Sequence, residues 1–240
     1  MEKFTIQGEA RKFDLVNRSF DEFHGITMAF ITLNEEKDIV GFLNHIKPYV
    51  DKIVMVDGGS SDKTIELATP LVDKIKIIPF DGHLGNQKNN AIALSRTDWT
   101  LFLDPDERLT QKALDSLRTY IEQDKYDCYS YPRREFLSGK ENPSVYPDRQ
   151  ERLFRTYCRY VRPIHHELVG YKSRYVIPED SGIELTHNKE LDRHRNRNSG
   201  HNFFQIHYKH EMSYPGAQLK DTFTKQFPFY NDMVLSKGTL

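Results

Sequence analysis

An α/β fold built on a mostly parallel sheet flanked by helices is the class this sequence predicts, on three observations. Between residue 25 and about residue 124, short runs of β-branched and aliphatic residues alternate with helical patterns, the rhythm of successive βα units. Two of these runs end abruptly in acids. Lys52-Ile53-Val54-Met55-Val56 runs into Asp57-Gly58-Gly59-Ser60-Ser61-Asp62, and Trp99 to Leu103 runs into Asp104-Pro105-Asp106-Glu107. Open α/β sheets bind ligands at the carboxyl ends of their strands, so two acidic strand ends point to one edge and one site.

The elements follow in order. Residues 1–24 lack clean periodicity and read as a leader. Ile26 to Thr32 is a buried strand, and Asn34 is the expected cap of a helix with Ile39, Phe42, Leu43 and Ile46 at i, i+3, i+4 and i+7. Pro48 helps to stop it. A strand at 52–56, a helix from Asp62 to Ala68, a strand from Ile75 to Pro79 and a helix from Asn86 to Ser95 lead to the strand at 99–103. Thr110 then caps a helix with Leu114, Leu117 and Ile121 on one face. Past residue 125 the rhythm breaks into short strands, Tyr126 to Tyr131, Arg152 to Arg155, Arg174 to Ile177 and Gly182 to Leu185, an α+β extension of the sheet. Residues 188–212 read as a polar helix bearing His201, Phe204 and Tyr208, with a short helix and tail after Pro215.

At 240 residues the chain suits one compact domain with a C-terminal elaboration. Two cysteines, Cys128 and Cys158, give neither a disulfide framework nor zinc spacing, which fits a reducing cytoplasm. No stretch reads as a signal peptide or as a membrane-spanning segment, so the expected protein is soluble and at most peripheral to a membrane. Charge is unevenly divided. Residues 1–124 hold 15 Lys and Arg against 21 acids, whereas residues 125–240 hold 19 against 14. The basic half, with Arg133, Arg134, Arg149, Arg152, Arg155, Arg159 and Arg162, is a candidate surface for an anionic partner; solvated mixed charge is the plainer alternative.

Three carboxylates within four residues, Asp104, Asp106 and Glu107, repel one another unless a cation sits among them, which suggests the wall of a divalent-metal site. Asp and Gly after a strand also make ordinary turns. Their conjunction at two strand ends favours metal and nucleotide together.

These residues resemble glycosyltransferase family 2, inverting enzymes of GT-A fold, and in particular its short cytosolic branch of lipopolysaccharide-core sugar transferases. The similar segments are Phe30 to Glu36, Val54 to Thr64, Lys88-Asn89, Trp99 to Glu107, Arg152-Leu153-Phe154-Arg155, His166-Glu167 and Leu185-Thr186-His187, spanning roughly residues 26 to 190. The resemblance implies a nucleotide-sugar and metal-binding half at 25–124, an acceptor-side half of the same domain at 125–187 and a C-terminal helical extension at 188–240. It implies a nucleobase held by Thr32, Glu35 and Asp57, the carboxylate of Asp57 accepting an imide N–H. Lys88 stands where the family usually has an arginine near base or phosphates, keeping the charge without the bidentate fork. Asp104 would meet the ribose or a metal-bound water, and Asp106 the metal. His187 would complete the shell and move preference from Mg²⁺ toward Mn²⁺. The acceptor-activating base implied is Glu167, with Glu151 and Asp148 as alternatives; the family string has one histidine before that glutamate, and this chain has His165 and His166.

The activity so implied is metal-dependent, inverting transfer of a sugar from a nucleoside-diphosphate donor, UDP-based, to an acceptor hydroxyl. A sugar-phosphate nucleotidyltransferase is the alternative enzyme, but it needs a Gly-rich basic loop where this chain has Thr32-Leu33-Asn34-Glu35-Glu36. A non-catalytic saccharide- or nucleic-acid-binding module on the same fold is the other reading. An anionic saccharide, a lipid-linked glycan and a modified nucleic acid all fit as acceptor.

Overall fold

The computed structural model describes residues 24–80, 83–161 and 167–189. Of the polar helix expected at 188–212, Asn188 and Lys189 instead end a strand; the rest of it, the leader up to residue 23 and His165-His166 lie outside the described residues. The first half forms β1 (Ile26–Thr32), α1 (Ile39–Ile46), β2 (Lys52–Asp57), α2 (Thr64–Ala68), β3 (Lys74–Ile77), α3 (Leu84–Ile92), β4 (Trp99–Phe102), β5 (Glu107–Leu109) and α4 (Gln111–Gln123). The second forms β6 (Cys128–Leu137), β7 (Lys140–Glu141), β8 (Asp148–Arg155), β9 (Arg159–Val161), β10 (Glu167–Val169), β11 (Arg174–Val176) and β12 (Leu185–Lys189).

One ten-stranded sheet runs β3-β2-β1-β4-β8-β6-β12-β5, with β7 and β11 also paired to β6; β9 and β10 form a separate ribbon. The strands β3, β2, β1 and β4 are mutually parallel, and β8 joins β4 antiparallel. Both faces of the parallel part are covered, which explains why its strands read as nearly continuous apolar runs. Met28, Phe30, Ile53, Met55 and Leu101 pack on one side with Ile39, Phe42, Leu43 and Ile46 of α1 and Leu114, Leu117 and Ile121 of α4. Ala29, Val54, Val56 and Phe102 face the other way, onto Ala91 and Ile92 of α3 and Tyr160 and Leu168 of the ribbon.

The structure corrects several sequence expectations. Asn34 does not cap α1, which begins at Ile39 with Asp38 before it. Asn34 instead takes a positive φ of 55°, and its Oδ1 accepts the Ser61 N–H at 2.8 Å. It clasps the loops after β1 and β2 together. α3 starts at Leu84 rather than Asn86, capped by His83, whose Nδ1 accepts the Asn86 N–H at 3.0 Å. β6 and β8 are longer than read, and the last strand lies at 185–189 rather than 182–185. β5, β7, β9 and β10 were not legible, because strands of two or three residues exist through non-local pairing and carry no periodicity of their own. Among the described residues no helix is long and apolar enough to cross a membrane.

Thr110 matches its expected role and adds another. Its Oγ1 accepts from Ala113 N at 3.3 Å and Glu184 N at 3.2 Å and donates to Gly182 O at 2.9 Å, so the cap of α4 also anchors the chain entering β12. Thr110→Ala is expected to lower stability by about 1–2 kcal/mol, and Thr110→Ser to recover most of it. The urea midpoint should move at unchanged slope.

Candidate active site

The carboxyl edge of the parallel strands gathers the expected donor-side residues. Parallel register places Thr32 of β1 beside Asp57 of β2. Asp57 is fully buried and already works for its own loop: Oδ1 accepts the N–H groups of Gly59 and Ser60 at 2.8 and 2.7 Å, and Oδ2 accepts the Ser60 hydroxyl at 2.6 Å. Gly59, at φ 100°, makes this turn possible. Ser60 Oγ in turn accepts the Asn34 N–H at 2.9 Å, so Asp57, Ser60 and Asn34 form a chain from one loop to the next. Thr32 is 5% exposed and its Oγ1 has no hydrogen-bond partner among the described residues. Glu35 is buried, with its N–H donating to Thr64 Oγ1 at 2.7 Å and its carbonyl accepting from Asp38 and Ile39 at the start of α1.

β4 lies on the other side of β1 and delivers the acidic turn. The three acids separate into different environments. Glu107 is fully buried: Oε1 accepts from Arg152 at 2.5 Å and Arg133 at 2.8 Å, while Oε2 accepts the backbone N–H of Asp104 at 3.0 Å. The cation beside this carboxylate is therefore a pair of guanidinium groups, which corrects the expectation that all three acids wall a metal site. Asp104 is part-exposed, with Oδ1 3.4 Å from Lys88 Nζ and Oδ2 3.3 Å from Arg152 Nη2. Asp106 sits 3.3 Å from His187 Nε2, and its carbonyl accepts the Asn188 N–H at 2.9 Å. His187 reaches Asp106 because β12 runs beside β5, and Glu135 of β6 lies 4.0 Å from the other ring nitrogen.

Lys88 is buried on α3 with its ammonium over the rings of Phe102 and Tyr160, 4.8 and 5.2 Å from their centroids. Burial, opposed by Asp104, holds it below the ordinary lysine range. Burial works against the charge of Arg152 too, but Glu107 and Asp104 outweigh it and raise its pKa. Lys88 was an expected site residue; Arg152, and the pairing of both cations with Asp104, are the part that sequence reasoning missed. The segment Arg152-Leu153-Phe154-Arg155 was visible as a motif, but nothing local says that Arg152 turns inward to Asp104.

The candidate bases are dispersed. Glu151 pairs with Arg174 at 3.0 Å, and Asp148 with Arg133, whose Nε donates at 3.0 Å. Glu167 opens β10, paired with Val161, on the exposed face of the ribbon opposite the buried Leu168 and Tyr160. The basic second half is largely neutralised within the chain. Arg133, Arg134, Arg149, Arg152, Arg155 and Arg174 all pair with acids, and Arg159 donates to the carbonyls of Thr156 and Cys158; Arg162 lies outside the described residues.

Comparison with known proteins agrees with this architecture. An uncharacterized glycosyltransferase of Rickettsia typhi is 28% identical over 171 residues, covering 70% of this chain and 54% of that protein. A TPR repeat-containing protein of Synechococcus elongatus is 32% identical over 146 residues, covering 60% of this chain and 35% of that protein. The chain thus spans about half or less of the length of these curated relatives. In fold it is similar to S. aureus TarS 1-349, crystallised in complex with UDP-GlcNAc, with a TM-score of 0.51 at 15% identity over 68% of this chain and 58% of that one. The family model described as glycosyl transferase family 2 matches residues 28–176. The chain belongs to glycosyl transferase family 2.

Proposed function

We propose that the chain is an inverting, metal-dependent glycosyltransferase that moves a sugar from a UDP-based donor to an acceptor hydroxyl. The observation that carries this reading is the arrival of Thr32, Asp57, Asp104 and Asp106 at one sheet edge, with His187 3.3 Å from Asp106. Family membership and the UDP-GlcNAc bound by TarS support it. Thr32 and Asp57 hold the nucleobase, with Glu35 in the adjoining loop. Asp104, held between Lys88 and Arg152, meets the ribose.

Asp106 and His187 would hold the cation, Mn²⁺ or Mg²⁺. Among the described residues no three His, Cys, Asp or Glu side chains form a metal-holding group. A carboxylate and an imidazole 3.3 Å apart would suit a divalent cation that arrives with the donor. When bound, the cation neutralises charge on the departing diphosphate. Glu167, exposed on the ribbon, takes the proton of the acceptor hydroxyl as its oxygen bonds to the anomeric carbon and the bond from that carbon to the diphosphate breaks. The configuration inverts.

Isothermal calorimetry with UDP tests the donor side: binding should be strong with Mn²⁺ and weak with chelator. Equal affinity in the two conditions overturns the metal-bridged reading. Asp106→Asn should abolish transfer while unfolding stability stays within about 1 kcal/mol. Glu107→Ala should instead cost about 3–5 kcal/mol of stability, since it removes the acid shared by buried Arg152 and part-buried Arg133. Glu167→Gln should slow transfer by about 10²- to 10⁴-fold with UDP affinity unchanged. Glu151→Gln and Asp148→Asn should slow it far less; normal transfer by Glu167→Gln moves the base elsewhere.

A further inference from the structure

We infer that Arg152 is a positioning residue for donor binding, acting through Asp104. The inference rests on the donor reading above. The guanidinium of Arg152 is 2% exposed and bridges two acids of one turn, Glu107 Oε1 at 2.5 Å and Asp104 Oδ2 at 3.3 Å. Glu107 closes the same turn from its other oxygen by accepting the Asp104 N–H at 3.0 Å. Both the main chain and the carboxylate of Asp104 are thus referred to one buried Arg152–Glu107 unit.

Lys88 faces the opposite carboxylate oxygen at 3.4 Å, so the Asp104 carboxylate lies between two cations from different elements, α3 and β8. A single ammonium would leave it free to rotate. Arg152 fixes it through one nitrogen, Nη2, whose two N–H groups reach both acids from a planar group that is itself buried. Arg133 shares Glu107 but not Asp104, pairing with Asp148 instead. The two arginines therefore differ in what they can transmit. Arg133 bears on stability, and Arg152 on stability and on the orientation of Asp104.

The test is UDP binding in the presence of Mn²⁺, measured by calorimetry on the full chain, beside melting temperature. Arg152→Lys keeps the buried charge but its ammonium ends one bond short of Nη2, the nitrogen that reaches both carboxylates, and should weaken UDP binding by about 10- to 100-fold. Arg133→Lys should lower the melting temperature by a similar amount and leave UDP affinity within about threefold of the parent, since removing one of two partners of Glu107 does not touch Asp104. The double variant Arg152→Lys/Asp104→Asn should bind UDP no more weakly than Asp104→Asn alone, because both changes act on one contact. Arg152→Gln, a neutral donor at the same place, serves where the lysine variant does not fold. Wild-type affinity in either folded variant, or additive losses in the double variant, would falsify the positioning role. Failure of both variants to fold overturns it as well, by making the pair a requirement of the fold. Absence of UDP binding by the parent protein instead overturns the donor reading itself.

Discussion

The buried pairing of Arg152 with Glu107 is the constraint on which the rest of the site depends. An ion pair removed from water gains little net stability over a well-packed apolar substitute, because desolvation of both charges offsets their attraction. Its consequence here is geometric. Glu107 holds two guanidinium groups on one oxygen and the Asp104 N–H through the other, which closes the turn between β4 and β5 from the inside. With that carboxylate turned inward, Asp104 and Asp106 are the acids of the turn left part-exposed at the sheet edge.

Topology explains how a residue nearly fifty positions away reaches this turn. β8 runs antiparallel to β4, with Leu101 opposite Leu153 and Trp99 opposite Arg155. The reversal sets the start of β8 beside the end of β4, at the edge where the parallel strands deposit their acids. Asp148 and Arg152 come to the site for this reason, although the strand that carries them belongs to the second half of the sequence. The acidic first half and basic second half meet within one sheet, as Arg152 with Glu107 and Arg155 with Asp98, while Arg134, Arg149 and Arg174 pair with acids of their own half.

The parallel half of the fold was legible because its signals are local. Four-residue apolar runs, the i, i+3, i+4 and i+7 spacing of α1 and the Thr110 cap each state their structure within one turn or strand. The acidic strand ends were legible for the same reason. Partnership was not. Glu107 looks in sequence like one more acid of the cluster, and only pairing with Arg133 and Arg152 separates it from Asp106. Asn34 has the composition of a helix cap, yet loop-to-loop hydrogen bonding with Ser60 and Ser61 is the stronger demand on it. β5 and β12 define the place of His187 by pairing with each other, which no local pattern encodes.

The charges of the site bear on why a cation should come with the donor. Asp104, Asp106, Glu107, Glu135 and Asp148 are faced by Lys88, Arg133, Arg152 and Lys189, with His187 beside Asp106. Counting the histidine as neutral, the ensemble is close to balanced and slightly anionic. A diphosphate brought alone would add negative charge next to Asp104 and Asp106, where the fixed cations are already committed to carboxylates. Its own oxygens would then face repulsion from two part-buried carboxylates, where screening is weaker than in open solvent. A divalent cation at Asp106, as proposed, would cancel that charge and leave the arginines to hold the turn. Rigidity falls to Arg152 and Glu107, which close the turn, and under the proposed mechanism charge compensation would fall to Asp106 and His187.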